Sequence, residues 1–332
     1  MLDPVGLSVG NLVPISQELW CPKVYRRHAP PSARVECLPT FRERELNKLT
    51  YDVVDAHVHL WSVTDNAWYP ALQSMAGQLE LPELYSDFLP TNYLEAAGDF
   101  KVDAFVHVSA TTATRTYLDE QAWVEELADR AALNLVTIGT IDPTLSESEI
   151  IADLERQAQS DRFRGVRVLY DFHPDSTAAN AVLQWLNDRN HVFDLVTQPP
   201  NMAAWLRTLE RYPDVTVVLE HCGWPSSTTG ADRDHWAEAM RACAERTNAL
   251  CKISGLGMVT GDLSSAALRP WVEGAIEVFG WDRVTFGSNT PIETMAGSYS
   301  QFIESLRAIV GESSDRELRS FYSDNARRYY KI

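Results

Sequence analysis

Eight short runs rich in β-branched residues, each followed by a longer amphipathic or loop segment, predict an α/β protein: a (β/α)8 barrel of the TIM type with an N-terminal extension. Polar residues gather where these runs end, as expected of barrel strands whose carboxyl ends carry chemistry. The rival, a doubly wound sheet, lacks its marks, since no GxGxxG follows the first run and no P-loop is present. The runs are Val53 to Leu60, Ala104 to Ser109, Leu135 to Ile141, Gly165 to Leu169, Val192 to Thr197, Thr216 to Glu220, Leu250 to Ile253 and Val284 to Gly287. Helical periodicity marks Tyr117 to Ala132, Glu147 to Gln159, Thr177 to Arg189, Met202 to Arg211, Asp232 to Arg246, Pro270 to Phe279 and Tyr299 to Val310. Asp315 to Tyr330 closes the last helical layer. Residues 1–50 are rich in Pro, Arg and Glu without a sustained period, and Pro30-Pro31 opposes a long helix. They read as an extension packed on the barrel domain of residues 51–332.

The 332 residues accommodate one barrel, which commonly needs about 250, plus its extension. A hydrophobic content of 45% supplies a large core, and no apolar stretch approaches the roughly 20 residues of a membrane span. Against 29 Lys and Arg stand 46 Asp and Glu, a net charge of -17 that disfavours nucleic acid and anionic membranes as partners. A small-molecule substrate is the expected partner, with self-association into a homo-oligomer left open. The five cysteines are scattered, odd in number and without CxxC spacing, so they read as free thiols. Met1 to Trp20 lacks a basic segment followed by a continuous apolar one, and a cytoplasmic location is expected.

The first run carries His57-Val58-His59. Side chains two apart on a strand share a face, about 7 Å apart, so both imidazoles can converge on one cation or substrate. The alternative is a pair of hydrogen-bonded core histidines. Further along, Arg167 stands on the fourth strand, Gln198 at the end of the fifth, His221 after the sixth, Lys252 and Ser254 on the seventh and Asn289 after the eighth. Arg167 can grip a substrate carboxylate through its planar guanidinium, or pair with Asp142 or Asp171 at the rim. Lys252 can face a substrate anion or form an internal ion pair. His107 can line the pocket or serve structure, and Trp61, Trp68, Tyr69 and Trp224 can wall the mouth or simply cover the barrel. Strict alternation turns Arg164 and Glu220 toward the helices, which makes Glu220 a poor candidate base. The same alternation gives Asp55 the face of His57 and His59, where it can orient a histidine or act as a buried structural carboxylate.

His57-Val58-His59, Leu219-Glu220-His221-Cys222-Gly223 and Phe286-Gly287-Ser288-Asn289-Thr290-Pro291 together resemble the amidohydrolase-related branch of the amidohydrolase superfamily. Gly139-Thr140-Ile141-Asp142-Pro143, Phe163-Arg164-Gly165-Val166-Arg167, Val192-Phe193-Asp194-Leu195 and Lys252-Ile253-Ser254-Gly255-Leu256-Gly257 extend the likeness in order from about residue 51 onward. Within the superfamily the set is most similar to lactonase-like TIM-barrel hydrolases. The resemblance implies hydrolysis of a lactone or related cyclic ester at the barrel mouth, with decarboxylase-type carbon-carbon lysis or a catalytically silent ligand-binding barrel as alternatives. It also implies a divalent cation, usually zinc, on His57, His59 and His221, although some lactonase relatives work without metal. Two departures matter: Asn289 replaces the eighth-strand aspartate, and Gln198 stands where metal-dependent members often place histidine. An amide cannot act as a general base near neutral pH, so Asn289 leaves that role vacant, and it is expected instead to hold the substrate together with Arg167.

Overall fold

The computed structural model describes residues 51–111 and 113–332, so the predicted extension of residues 1–50 lies outside the described residues. The expected barrel is present. Eight parallel strands, β1 (Val54–Val58), β2 (Ala104–Val108), β3 (Leu135–Gly139), β4 (Phe163–Arg167), β5 (Val192–Leu195), β6 (Thr216–Leu219), β7 (Leu250–Ile253) and β8 (Val284–Phe286), pair in chain order. Just past the end of β8 the chain meets β1: Asn289 donates its backbone N–H to the His57 carbonyl at 2.8 Å, and His59 to that of Thr290 at 2.9 Å. These bonds bring the first and last strands together at the carboxyl rim.

The strands sort their side chains into two apolar layers. Val54, Ala56, Val106, Val108, Val136, Ile138, Val192, Val218 and Leu250 form one cluster with Ala326 and Tyr330 of the C-terminal helix, and this cluster fills the barrel's lower interior. Intervening residues such as Phe105, Phe193, Leu219, Cys251 and Phe286 join the helices in a larger outer cluster. Removing such side chains from water contributes about 1.5–3 kcal/mol each, which holds the helical ring on the sheet.

Most helices begin and end near their predicted limits: Thr177–Arg189 and Tyr299–Val310 match, and Ser264 caps a helix, Ser265–Phe279, that starts five residues before Pro270. Two helices between β1 and β2, Pro70–Gln78 and Pro90–Ala97, lack a sequence prediction. They start at prolines, whose missing N–H costs nothing in a first turn. Around the first of them Trp61, Tyr69, Leu72, Ala76 and Leu84 make a satellite apolar cluster. No helix among the described residues is long and apolar enough to cross a membrane.

Candidate active site

Strand β1 does not alternate strictly. Asp55 pairs with Phe105 and Val58 with His107, so three steps on β1 match two on β2 and one residue is bulged between them. The bulge separates Asp55 from the two histidines. Its carboxylate accepts the backbone N–H groups of Ser288 at 2.8 Å and His57 at 3.1 Å and the Tyr93 hydroxyl at 2.8 Å, tying β1 to β8 and to an outer helix. Its neighbours Val54 and Ala56 point into the barrel while Asp55 meets Tyr93 on the outside, so the expectation that it shares a face with His57 and His59 is corrected.

His57 and His59 do converge: their Nε2 atoms lie 3.2 Å apart. His59 Nδ1 is 2.7 Å from the Val108 carbonyl, which can only accept, so Nδ1 carries the proton and Nε2 offers its lone pair to the cluster. The His221 ring joins them, its centroid 4.8 Å from that of His57, while its Nδ1 sits 2.9 Å from the Ser254 hydroxyl. Gly255 makes room for that ring; a Cβ there would lie 2.4 Å from His221 Nδ1. Burial is the main force holding all three imidazoles well below the usual histidine pKa, assisted by Lys252 and Arg167. They are neutral, the form in which imidazole binds metals.

The second correction concerns Glu220. After β6 the chain enters left-handed backbone at His221, Cys222, Gly223 and Trp224, with φ of 53°, 52°, 68° and 40°. This turn breaks alternation and brings Glu220 and His221 to one site. Glu220 Oε1 is 3.3 Å from His57 Nδ1 and 3.7 Å from Lys252 Nζ, and Oε2 is 3.6 Å from His221 Nε2 and 4.0 Å from Arg167. The side chain is fully buried, yet neither oxygen has a hydrogen-bond partner among the described residues. Burying a carboxyl group without a hydrogen-bond donor costs about 1–3 kcal/mol or more. Ligand atoms of His57, Glu220 and His221 lie within 4.8 Å of one another, a nitrogen and oxygen set that fits a divalent cation.

Beneath this cluster Lys252 forms an ion pair with Asp194 at 2.6 Å, so it is internal and fully buried. The Tyr330 hydroxyl is 2.8 and 3.0 Å from the two Asp194 oxygens. Burial raises the Asp194 pKa more than Lys252 and Tyr330 lower it. Lys252 Nζ also lies 3.3 Å from His57 Nδ1, so that nitrogen faces a donor and the Glu220 acceptor at equal distance.

Of the remaining predicted residues, Arg167 is buried on the rim and donates to the Ser109 carbonyl at 2.5 Å; neither Asp142 nor Asp171 pairs with it among the described residues. Trp61 stacks on His59, with centroids 5.9 Å apart, and half-buried Trp224 meets His221 edge-on at 5.2 Å. Asn289 is buried beside His57, with its amide NH2 3.3 Å from Glu293. Gln198 is half-buried at the start of the helix Pro199–Leu209, on the same rim. His107 lies between Val106 and Val108, which point into the barrel; its Nε2 is 3.3 Å from the Leu60 carbonyl, and it is near enough to His59 and Arg167 to interact with both electrostatically. Arg164 points away as expected, donating to the carbonyls of Tyr330 and Asp161.

Sequence reasoning missed Glu220, Asp194, Tyr330 and Glu120. Buried Glu120 accepts from the Ser109 hydroxyl and the Ala110 N–H and has its carboxyl pushed up to about 7 by burial, despite Arg167 nearby. Its signal was readable: it falls on the apolar stripe of its helix, between Tyr117 and Val124.

A family model described as amidohydrolase matches residues 54–332. The chain is 28% identical over 304 residues to the protein y4mH of Sinorhizobium fredii, covering 84% of this chain and 98% of that one. It is 26% identical over 257 residues to an L-fucono-1,5-lactonase of Burkholderia ambifaria, covering 75% and 83% of the two. Among solved structures, a Burkholderia multivorans amidohydrolase with bound zinc superposes with a TM-score of 0.73 at 22% identity, over 85% of this chain and all of that one, 100%.

Proposed function

This chain belongs to the amidohydrolase family, and on that premise we propose that it hydrolyses the ester bond of a lactone or related cyclic ester at the carboxyl rim of its barrel. Glu220 carries the reading: it is a buried carboxylate without a hydrogen-bond donor among the described residues, set against neutral imidazoles. The lactonase relative supports the substrate class. His57, His59, His221 and Glu220 would hold a divalent cation, zinc by analogy with the solved relative, which would supply Lewis acidity toward water and the carbonyl.

The chain's own groups do the rest. Val108 fixes the His59 tautomer and Ser254 anchors His221, so both rings are held before substrate arrives. Water adds its oxygen to the lactone carbonyl carbon and loses a proton to Glu220; the ring C–O bond then breaks, and the leaving alkoxide recovers that proton. Arg167 and Asn289 orient the substrate's polar groups, and Trp61 and Trp224 give its ring an apolar wall.

A panel of sugar and aromatic lactones, assayed for ring opening with the native protein, Glu220→Gln and His57→Ala, tests the reading. Ring opening by the native protein and its loss in both variants is expected, with stoichiometric zinc in chelator-free preparations that disappears in His57→Ala. Unchanged rates in both variants, or release of carbon dioxide in place of ring opening, would overturn it.

A further inference from the structure

Glu293 lies four residues beyond Asn289, in the turn Ile292–Met295 that follows β8, and is 3% exposed. Two donors pin its carboxylate: the Gly257 backbone N–H reaches Oε1 at 2.7 Å and the Asn289 amide reaches Oε2 at 3.3 Å. Gly257 is needed for this approach, since a Cβ there would come within 3.0 Å of Oε1 and 2.8 Å of the Ala296 Cβ. Asn289 is equally constrained; its backbone has φ 53° and donates to the His57 carbonyl at 2.8 Å. A carboxylate only accepts, so the amide must turn its NH2 to Glu293 and keep its carbonyl oxygen for the rim. That oxygen accepts no hydrogen bond among the described residues.

We propose that Glu293 is a positioning residue that selects an amide over an acid at position 289 and aims the Asn289 carbonyl oxygen at the substrate side of the rim. Burial pushes the Glu293 carboxyl up to about 7, and a second carboxylate at contact distance could not ionise beside it without strong repulsion. The missing eighth-strand carboxylate is therefore built into the local wiring, and restoring it alone breaks that wiring. Exchanging both residues preserves it: in N289D/E293Q the glutamine carbonyl still accepts from Gly257 while its NH2 donates to the new carboxylate. The substrate-side role rests on the hydrolase reading above; the pairing itself does not.

A four-protein cycle tests it: native, N289D, E293Q and N289D/E293Q, compared at pH 8 by thermal midpoint of the metal-free proteins and by KM of the zinc-supplemented proteins for any lactone the native protein opens. Each single variant is expected to lose about 4 °C or more, with the double variant returning to within about 2 °C of native. KM should rise in E293Q, whose flipped amide presents NH2 to the rim, and recover in the double variant, which a merely structural Glu293 would not produce. Additive losses in the double variant, or native stability in N289D, would overturn the proposal. Where a single variant shows no cooperative transition, a folded double variant supports the pairing and an unfolded one refutes it. If no lactone is opened, the midpoints alone still decide.

Discussion

Two carboxylates, Glu220 at the rim and Asp194 at the floor, are buried in the same barrel, both with no exposed surface. Asp194 receives Lys252 at 2.6 Å and the Tyr330 hydroxyl at 2.8 Å, and is saturated with donors. Glu220 receives no hydrogen bond among the described residues. Burial does not separate the two, and neither does residue chemistry; hydrogen-bond satisfaction does. The floor group holds the interior together, whereas the rim group is left open for a cation, a water or a proton at a cost borne by the rest of the fold.

The sharpest way to test this contrast is to remove the charge from each half. Glu220→Gln should lower kcat by about 10²–10⁴-fold while leaving the unfolding midpoint close to native, because the carboxylate accepts no hydrogen bond among the described residues. Lys252→Met should do the reverse in kind, costing about 3–5 kcal/mol in urea unfolding by stranding Asp194. A native-like midpoint for Lys252→Met would erase the distinction.

Acid acts on the rim through its histidines, and in the opposite sense on the floor through Asp194, whose carboxyl burial pushes up to about 7. His57, His59 and His221 are held below their ordinary value of 6.5, chiefly by burial. As pH falls through that value the unfolded chain takes up protons that the metal-free folded chain refuses, so stability should drop by up to about 1.4 kcal/mol per pH unit for each histidine, and rise again as pH is raised. His57→Gln should flatten that slope in chemical unfolding at several pH values. The smallest effect belongs to Tyr330→Phe, which removes one neutral donor from a floor carboxylate that Lys252 still satisfies: about 1 kcal/mol of stability, with kcat unchanged.

The strands were legible because β-branched runs of four to eight residues repeat along the chain, and the histidines because they interrupt those runs. His57, His59, His221 and Lys252 do meet inside the barrel. Glu220 was hidden by the assumption of period two, which holds along β6 and fails at the left-handed turn just beyond it; Asp55 was misplaced by the same assumption across a bulge. Neither a bulge nor a positive φ at a histidine has a strong local signature. Tyr330 was unreadable for another reason: its partner is 136 residues away, and no local pattern reports so distant a contact.

That long reach sets an order of events for a chain leaving the ribosome. Lys252 and Asp194 can meet once β7 has emerged, but the hydroxyl that completes their pairing arrives only with residue 330. The C-terminal helix Asn325–Tyr330 thus acts as a keystone, placing Ala326 and Tyr330 against the lower strand residues and closing the floor from the end of the chain.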